Sequence, residues 1–479
     1  MNYSKAHFIG IAGKGMSAVA LLLRQMGVRI TGSDEGFYPP VSDYLKNENI
    51  PFAAGYRKEN LPDDADVIVI GKNAKLVPES NEEVRAAMAS GKPVRSFADL
   101  LHDMTTGSET VVVAGSYGKS TCTAMLAWCL RHSGKDPSYF IGEITNGLET
   151  HAHHGKGPTF VLEGDEYPAS NWDDRSKFLL YNARNVLLTS ATHDHINVFP
   201  THADYLAPFR TLLGSLPSDG LLVVNSHEQY ARALANDLAC RIVFYALGDK
   251  AHWHAANIER GAETTFDLMR GGENIARLST RMLGDHNIDN IVGVSAMLLE
   301  KKLVTPAEVS DGIRTFQGVK RRMELLSPSS RVPVYEGFGS SYEKARSAIA
   351  ATTLHFPDRR LIVVFEPHTF TWRNRAAIAA YDDVFAGASK VYIFEPASQG
   401  AATHAQLTQE EIVARTRAAN FDAEAINDPE DALQRLGGML RADDVVLLLT
   451  SGELGGLIRK IPQLVEAKFP AQGLASGSS

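Results

Sequence analysis

The sequence predicts a three-domain α/β protein, and three observations lead there. At 479 residues the chain is too long for one hydrophobic core and long enough for about three domains. Short β-branched runs alternate with amphipathic helical stretches along its length, the pattern of βαβ units around parallel sheets. Two of those runs lead into glycine-rich turns that open a helix, at Gly10–Ser17 and at Gly115–Thr121. The expected architecture is a Rossmann-like N-terminal domain over 1–106, a central P-loop ATPase-type domain with a mostly parallel sheet over 107–326, and a Rossmann-like α/β C-terminal domain over 327–472. The small, polar residues 473–479 are expected to form a disordered tail.

Composition excludes several classes of protein. A hydrophobic fraction of 44% and a charged fraction of 22% are those of an ordinary globular protein. A net charge of −8 argues against nucleic acid or an anionic membrane as the main partner. Cys122, Cys129 and Cys240 lack metal-ligand spacing, and the first two fall on one expected helix, so they read as buried apolar groups. The opening residues lead straight into a strand without the apolar run of a signal peptide, and no apolar segment reaches transmembrane length. A cytoplasmic, reduced protein is expected.

In the first domain, Ala6-His-Phe-Ile-Gly10-Ile-Ala-Gly13-Lys14-Gly15-Met16-Ser17 reads as strand, turn and helix start. Val28-Arg-Ile-Thr-Gly-Ser33-Asp34 is a second strand ending in an acid. Such a unit holds a nucleotide diphosphate at a helix N-terminus, with the acid near a ribose hydroxyl. The glycine spacing departs from a dinucleotide fingerprint and gives no support to NAD; the plain alternative is a packing unit. A strand at 66–71, a helix at 80–90 and a short strand at 93–94 continue the alternation, and the polar stretch 101–109 is a linker.

The second domain opens on Thr110-Val-Val-Val-Ala-Gly115-Ser116-Tyr117-Gly118-Lys119-Ser120-Thr121, a strand, a glycine-flanked loop and a helix start. Glycines let backbone N–H groups approach phosphates, Lys119 reaches phosphate oxygens as a mobile charge, and Ser120 can ligate a nucleotide-bound Mg²⁺. Only two residues separate Gly115 from Gly118, so the loop is shorter than the common Walker spacing. Phe160-Val-Leu-Glu163-Gly-Asp165-Glu166 ends a strand in carboxylates, which either bind Mg²⁺ or form a solvated loop. The strand 185–190 runs into His193-Asp194-His195, where histidines ligate metal or stabilise charge on a transferring phosphoryl group; a zinc site lacks further ligands at suitable spacing. A strand at 221–225 and a helix at 231–239 follow. Asn287 and Asn290, three apart at the start of another helix, either cap it or read an adenine edge. Lys320-Arg321-Arg322 closes the domain with charges that can face phosphates.

In the third domain, strands at 360–365, 390–394 and 444–449 flank a loop, Glu366-Pro-His368-Thr-Phe-Thr-Trp-Arg373, rich in hydrogen-bonding groups. After the last strand, Thr450-Ser451-Gly452 allows close backbone approach.

Five motifs in order resemble those of the Mur ligases, ATP-dependent amide-forming enzymes, across essentially the whole chain. They are Gly115–Thr121, Glu163–Glu166, Asp194-His195, Gly284-Asp-His-Asn287-Ile-Asp-Asn290 and Gly318–Arg322. The resemblance implies ATP and Mg²⁺ as cofactors, with Gly115, Ser116, Tyr117, Gly118, Lys119, Ser120, Thr121, Asn287, Asn290, Arg322 and Glu336 around ATP. It implies Lys119, Glu163 and His195 as catalytic residues, with Ser120, Glu163 and His195 at the metal. UDP-N-acetylmuramate would lie on Gly10, Gly13, Lys14, Gly15, Met16, Ser17, Ser33 and Asp34, and the incoming amine on His368, Arg373, Ser451 and Gly452. That amine is a murein peptide by the likeness of Gly32–Ser42, Glu163–Tyr167 with Asp174–Phe178, and Ser451–Gly456 to one branch, or L-alanine by the likeness of Gly10–Ser17 and Glu366-Pro-His368 to another. The third domain would have to close over ATP, and the protein is expected to be a monomer or weak homodimer.

Departures from the pattern are local. Tyr117 stands where the family usually has His or Asn, and Gly337 and Ser340-Ser341 stand where close relatives have Asp and His-His. A different amine, or a nucleotide-sugar-binding relative without catalysis, are the alternatives these raise.

Overall fold

The computed structural model describes residues 3–38, 41–195, 198–248, 251–395 and 406–471. The expected tail, Pro39-Pro40 and Ile196-Asn197 therefore lie outside the described residues. By internal contacts the chain forms two units: 1–258 with 265–280 and 288–319, and 259–264 with 281–287 and 320–479.

The first unit holds two sheets. Strands β1 (Lys5–Ile9), β2 (Arg29–Asp34), β3 (Phe52–Ala54), β4 (Val67–Ile70) and β5 (Val94–Arg95) form a sheet in the order β3-β2-β1-β4-β5. All its neighbours are parallel. This is the Rossmann-like unit expected, with the helix Lys14–Gln25 opening straight after the β1 turn.

The second sheet has ten strands: β6 (Glu109–Ala114), β7 (Ser138–Phe140), β8 (Ala152–His153), β9 (Thr159–Glu163), β10 (Asn185–Leu188), β11 (Leu221–Asn225), β12 (Arg241–Ala246), β13 (Trp253–Glu259), β14 (Thr264–Arg270) and β15 (Glu273–Thr280). Their order is β15-β14-β13-β12-β11-β10-β6-β9-β7-β8. Parallel pairing of β10 and β9 on either side of β6 centres the sheet on the strand that feeds the phosphate loop. Val111, Val112, Val113 and Ala114 are buried on both faces, which is why β6 reads as an unbroken apolar run. The helix expected over 231–239 is shorter, Gln229–Leu234; Asp237, at φ 59°, takes a left-handed conformation that a helix cannot continue through.

The second unit is built on β16 (Arg322–Leu325), β17 (Val334–Gly337), β18 (Arg360–Phe365), β19 (Lys390–Phe394), β20 (Ala423–Ile426) and β21 (Asp444–Leu449), in the order β16-β17-β21-β18-β19-β20. Every pairing is parallel except β16 with β17. The basic stretch read as closing the central domain thus instead opens this sheet, because Arg322 already pairs with Gly337. Among the described residues no helix is long and apolar enough to cross a membrane.

Candidate functional site

The phosphate loop follows β6 and ends at the N-terminus of the helix Lys119–His132. Gly115 (φ +141°) and Gly118 (φ +83°) occupy conformations that favour glycine, and neither has room for a side chain. A Cβ on Gly115 would stand 2.3 Å from Thr189 Oγ1, and one on Gly118 2.8 Å from Asn290 Oδ1. The Tyr117 N–H donates to Ser190 Oγ at 2.9 Å, and the Ser116 hydroxyl donates to Thr192 O while accepting from Tyr205 OH. The loop is thereby tied to the end of β10. The Tyr117 side chain is 61% exposed, whereas Ser120 and Thr121 are buried in the first helical turn.

Two carboxylates meet this loop, where sequence reasoning had assigned one. Glu163 accepts from Ser120 Oγ at 2.7 Å and from the Gly142 N–H at 2.7 Å. Glu166, 1% exposed, accepts from Lys119 Nζ at 3.0 and 3.2 Å and faces His195 Nε2 at 3.2 Å. Glu166 therefore joins the lysine to the histidine, and it was missed because it sits in a run of three acids that spacing cannot rank. On the other side of the ring, His195 Nδ1 lies 3.0 Å from Tyr167 OH. Burial pushes the Glu166 carboxyl up, but the His195 contact and the Lys119 ammonium outweigh it and hold it below its usual value. The Glu166 contact in turn raises His195, against its partial burial and with help from Asp194. At φ 55° the His195 backbone is left-handed, which a non-glycine residue adopts at a cost where neighbours hold it.

Ser120 and Glu163 come together as the sequence suggested, whereas His195 is bonded to Glu166. Among the described residues no group of three His, Cys, Asp or Glu side chains is arranged to hold a metal, so the zinc alternative gains no support. The hydroxyl of Ser120 and the carboxylate of Glu163, 2.7 Å apart, form a hard-oxygen donor pair. That suits Mg²⁺, which takes one or two carboxylates and completes its shell with phosphate and water.

Asn287 and Asn290 open the helix Asp285–Glu300. Asn287 Nδ2 donates to Leu283 O at 2.8 Å, so its amide anchors the helix to the preceding turn. Asn290 faces the phosphate loop at Gly118. Between them, Asp289 accepts from Asn225 at 2.5 Å, and burial pushes its carboxyl up to about 6 against that bond.

At the N-terminal loop, Asp34 receives the Ala12 N–H at 2.9 Å and Tyr56 OH at 3.1 Å, so the acid fixes the glycine-rich turn. Gly10 is at φ +87°, and a Cβ on Gly15 would press the Phe97 ring at 3.0 Å. Gly13 precedes the helix, and Lys14 pairs with Glu143 at 2.9 Å. Three expected side chains turn inward: Met16 and Ser17 are buried, and Ser33 donates to the buried Glu83 at 2.8 Å, which also bonds His7. Only their backbone is left for a ligand.

In the second unit Glu336 is buried and accepts from Arg321 Nε at 2.7 Å; the same guanidinium donates to Gly452 O at 2.7 Å. Burial raises the Glu336 carboxyl and Arg321 opposes it. Arg321, which the sequence did not single out, makes these bonds, and Arg322 is exposed on the edge strand β16. A Cβ on Gly337 would stand 3.0 Å from Leu449 Cδ2 and 3.3 Å from Ala348 Cβ, so a side chain there needs these neighbours to give by a few tenths of an ångström. Ser341 caps the helix Tyr342–His355, and Ser340 accepts from Lys344 at 3.2 Å. Glu366, read in the sequence only as part of its loop, is buried, accepts from Thr450 Oγ1 and the Leu454 N–H, and lies 3.7 Å from His368. Gly452 packs against His368, Ser451 is half-buried beside it, and Arg373 is buried with its Nε lacking a hydrogen-bond partner among the described residues.

Residues 5–108 match the Mur ligase family catalytic domain, 113–298 the Mur ligase middle domain and 321–452 the Mur ligase glutamate ligase domain. A UDP-N-acetylmuramate–L-alanine ligase of Sorangium cellulosum is 30% identical over 97% of each chain. A UDP-N-acetylmuramate–L-alanyl-γ-D-glutamyl-meso-2,6-diaminoheptandioate ligase of Escherichia coli is 27% identical over 95% of this chain and 97% of its own. The crystal structure of a UDP-N-acetylmuramate–alanine ligase from Thermotoga maritima superposes with a TM-score of 0.76 at 22% identity, covering 98% of this chain and all of that one. The protein that carries the Lys119–Glu166–His195 constellation accordingly belongs to the Mur ligase family, the ATP-dependent acid–amino-acid ligases of peptidoglycan synthesis.

Proposed function

We propose that this ligase joins the amino group of a murein peptide, L-alanyl-γ-D-glutamyl-meso-diaminopimelate, to the lactyl carboxylate of UDP-N-acetylmuramate. The observation that carries the ATP half of the reading is the Lys119–Glu166–His195 chain beside Ser120–Glu163 at a helix N-terminus. The substrate carboxylate attacks the γ-phosphorus and ADP leaves; the amine then attacks the acyl carbon of the acyl phosphate, loses a proton and expels phosphate. Both steps need positioning and charge neutralisation more than covalent participation by the protein.

Lys119, now shared between Glu166 and Gly115 O, is a flexible ammonium that can turn to phosphate oxygens without leaving the loop. His195, held cationic-prone by Glu166, places positive charge at the end of β10. Ser120 and Glu163 would hold Mg²⁺, which when bound supplies charge neutralisation on the β- and γ-phosphates. Asp34 and the Gly10–Gly15 turn would take the uridine diphosphate, and His368, Arg373 and the Ser451-Gly452 turn the incoming amine. All substrates are small, and the reading makes the protein a cytoplasmic enzyme.

The peptide is preferred to L-alanine because Gly32–Ser42, Glu163–Tyr167 with Asp174–Phe178, and Ser451–Gly456 are similar to the peptide-adding branch. Glu366-Pro-His368 favours L-alanine as the second reading. The test is phosphate release from Mg-ATP and UDP-N-acetylmuramate with tripeptide, with L-alanine and with no amine. Release that depends on tripeptide is expected; dependence on L-alanine moves the protein to the sister activity, and none with either overturns both.

A further inference from the structure

We propose that Glu83 is a positioning residue for the UDP-sugar: a buried carboxylate that collects four hydrogen bonds and so fixes Asp34 against the glycine-rich turn after β1. This rests on the reading of Asp34 and the Gly10–Gly15 turn as the sugar-nucleotide site, and every residue involved lies in the first unit. Glu83 is the second residue of the helix Glu82–Ala89, which Asn81 caps through the Val84 N–H. Its side chain is fully buried. The partial positive charge of a helix start suits a carboxylate there.

Each oxygen of Glu83 meets two groups. Oε1 accepts from Ser33 Oγ at 2.8 Å and lies 2.8 Å from His7 Nε2. Oε2 accepts from the Arg57 N–H and from Asn60 Nδ2, both at 2.9 Å. His7 and Thr31 are partners in the β1–β2 register, and His7 Nδ1 lies 2.8 Å from Thr31 Oγ1. Thr31 and Ser33, two apart on one strand, share the face that meets Glu83.

Both arms of this network end at the site. On one, the Ser33 carbonyl takes the N–H groups of Gly10 and Ile11 at 2.9 and 3.1 Å. The residue that Glu83 grips by its hydroxyl thus holds the glycine-rich turn by its backbone. On the other arm, Arg57 follows Tyr56, whose hydroxyl donates to Asp34 Oδ1 at 3.1 Å, and Asn60 donates also to Gly55 O at 2.9 Å. Burial first, and the Asp34 carboxylate next, raise the Tyr56 hydroxyl, which keeps it a donor. The Gly55 N–H returns to Asp34 O at 2.8 Å, and Asp34 Oδ2 takes the Ala12 N–H at 2.9 Å. Asp34 is therefore placed through Ser33 on its own strand and through the 55–57 segment beside it, and Glu83 is common to both. An apolar side chain at this position leaves the donors without their acceptor and frees the two arms from each other.

The experiment is calorimetric titration of the whole protein with UDP-N-acetylmuramate and, separately, with Mg-ATP, using wild type, Glu83→Leu, Glu83→Gln, Asn60→Ala and Asp34→Ala. Glu83→Leu, apolar and without an acceptor, is expected to weaken UDP-N-acetylmuramate about tenfold and to leave Mg-ATP within about twofold. Glu83→Gln is expected within about threefold of wild type for both ligands. Its oxygen serves Arg57 and Asn60, and its amide N–H groups face Ser33 Oγ and His7 Nε2, which can both accept. Asn60→Ala, which removes one donor to Glu83, is expected to weaken UDP-N-acetylmuramate about threefold. Wild-type affinity for the sugar nucleotide in Glu83→Leu, an equal loss for both ligands, or no recovery in Glu83→Gln overturns the role. If circular dichroism shows Glu83→Leu unfolded, Asn60→Ala decides, and unchanged affinity there overturns it. Asp34→Ala separates the two readings. Undiminished sugar-nucleotide binding in that variant overturns the site itself, whereas a loss there beside wild-type affinity in Glu83→Leu overturns the role of Glu83 alone.

Discussion

Glu166 is the residue on which the most depends. A carboxylate 1% exposed is stable only if its charge is matched, and here it is matched twice, by Lys119 and by His195. Glu163 has a different task, since its oxygens go to Ser120 and the Gly142 N–H, and so it fixes the loop opposite the helix start. Replacing Glu166 with Gln removes the charge while keeping the shape. Lys119 and His195 then lose their common partner and no longer converge on one point. Loss of one preorganised charged group of this kind costs about 10²–10³ in kcat. Steady-state phosphate release by E166Q should show that loss, with UDP-N-acetylmuramate binding unchanged; a kcat within about fivefold of wild type would remove Glu166 from the machinery.

Elements were legible in the sequence in proportion to how fully they are buried. β6, β10, β11, β18 and β21 are covered on both faces and appear as runs of Val, Leu and Ile. The outer strands β14 and β15 alternate or are exposed, with Thr264–Arg270 and Glu273–Thr280 too polar to stand out as strands. The same limit hid Arg321, whose neighbours in the basic triplet are chemically equivalent until the chain folds. The phosphate-loop helix shows what burial does at element scale. Its Cys129 packs against Gly312 of the helix Pro306–Thr315, where an added Cβ would lie 2.8 Å from Sγ and 3.2 Å from the Cys129 Cα. The contact with backbone leaves no flexible atom to yield. Gly312→Ala gains about 1 kcal/mol of helix propensity, yet overpacking costs about 1–3 kcal/mol, so the net is destabilising or near zero. A denaturant midpoint for G312A clearly above wild type would show that the two helices separate freely, and the phosphate-loop helix would then not be held at this point.

At the scale of the whole molecule, chemistry is divided among sheets, and that division makes its own prediction. The glycine-rich turn after β1 is fixed by Asp34, itself held by Ala12 and Tyr56, all within the first sheet and its loops. The phosphate loop after β6 is fixed by Thr189, Ser190 and Thr192 at the end of β10, all within the second sheet. Lys14 of the first turn does pair with Glu143 beside the second sheet, but among the described residues Asp34 and Lys119 share no hydrogen-bond partner. Groups without shared partners contribute additively to binding, whereas groups in one network do not. Lys119→Ala should therefore abolish Mg-ATP binding, because the ammonium proposed to meet phosphate is gone, and leave the Kd for UDP-N-acetylmuramate within about twofold. Asp34→Ala should do the reverse, weakening the UDP-sugar about tenfold or more while Mg-ATP binding stays. Titration of each variant with each ligand gives the four numbers. If Lys119→Ala weakened both ligands equally, the two sheets would act as one site, and the order in which nucleotide and sugar bind would follow from their coupling and not from two independently folded loops.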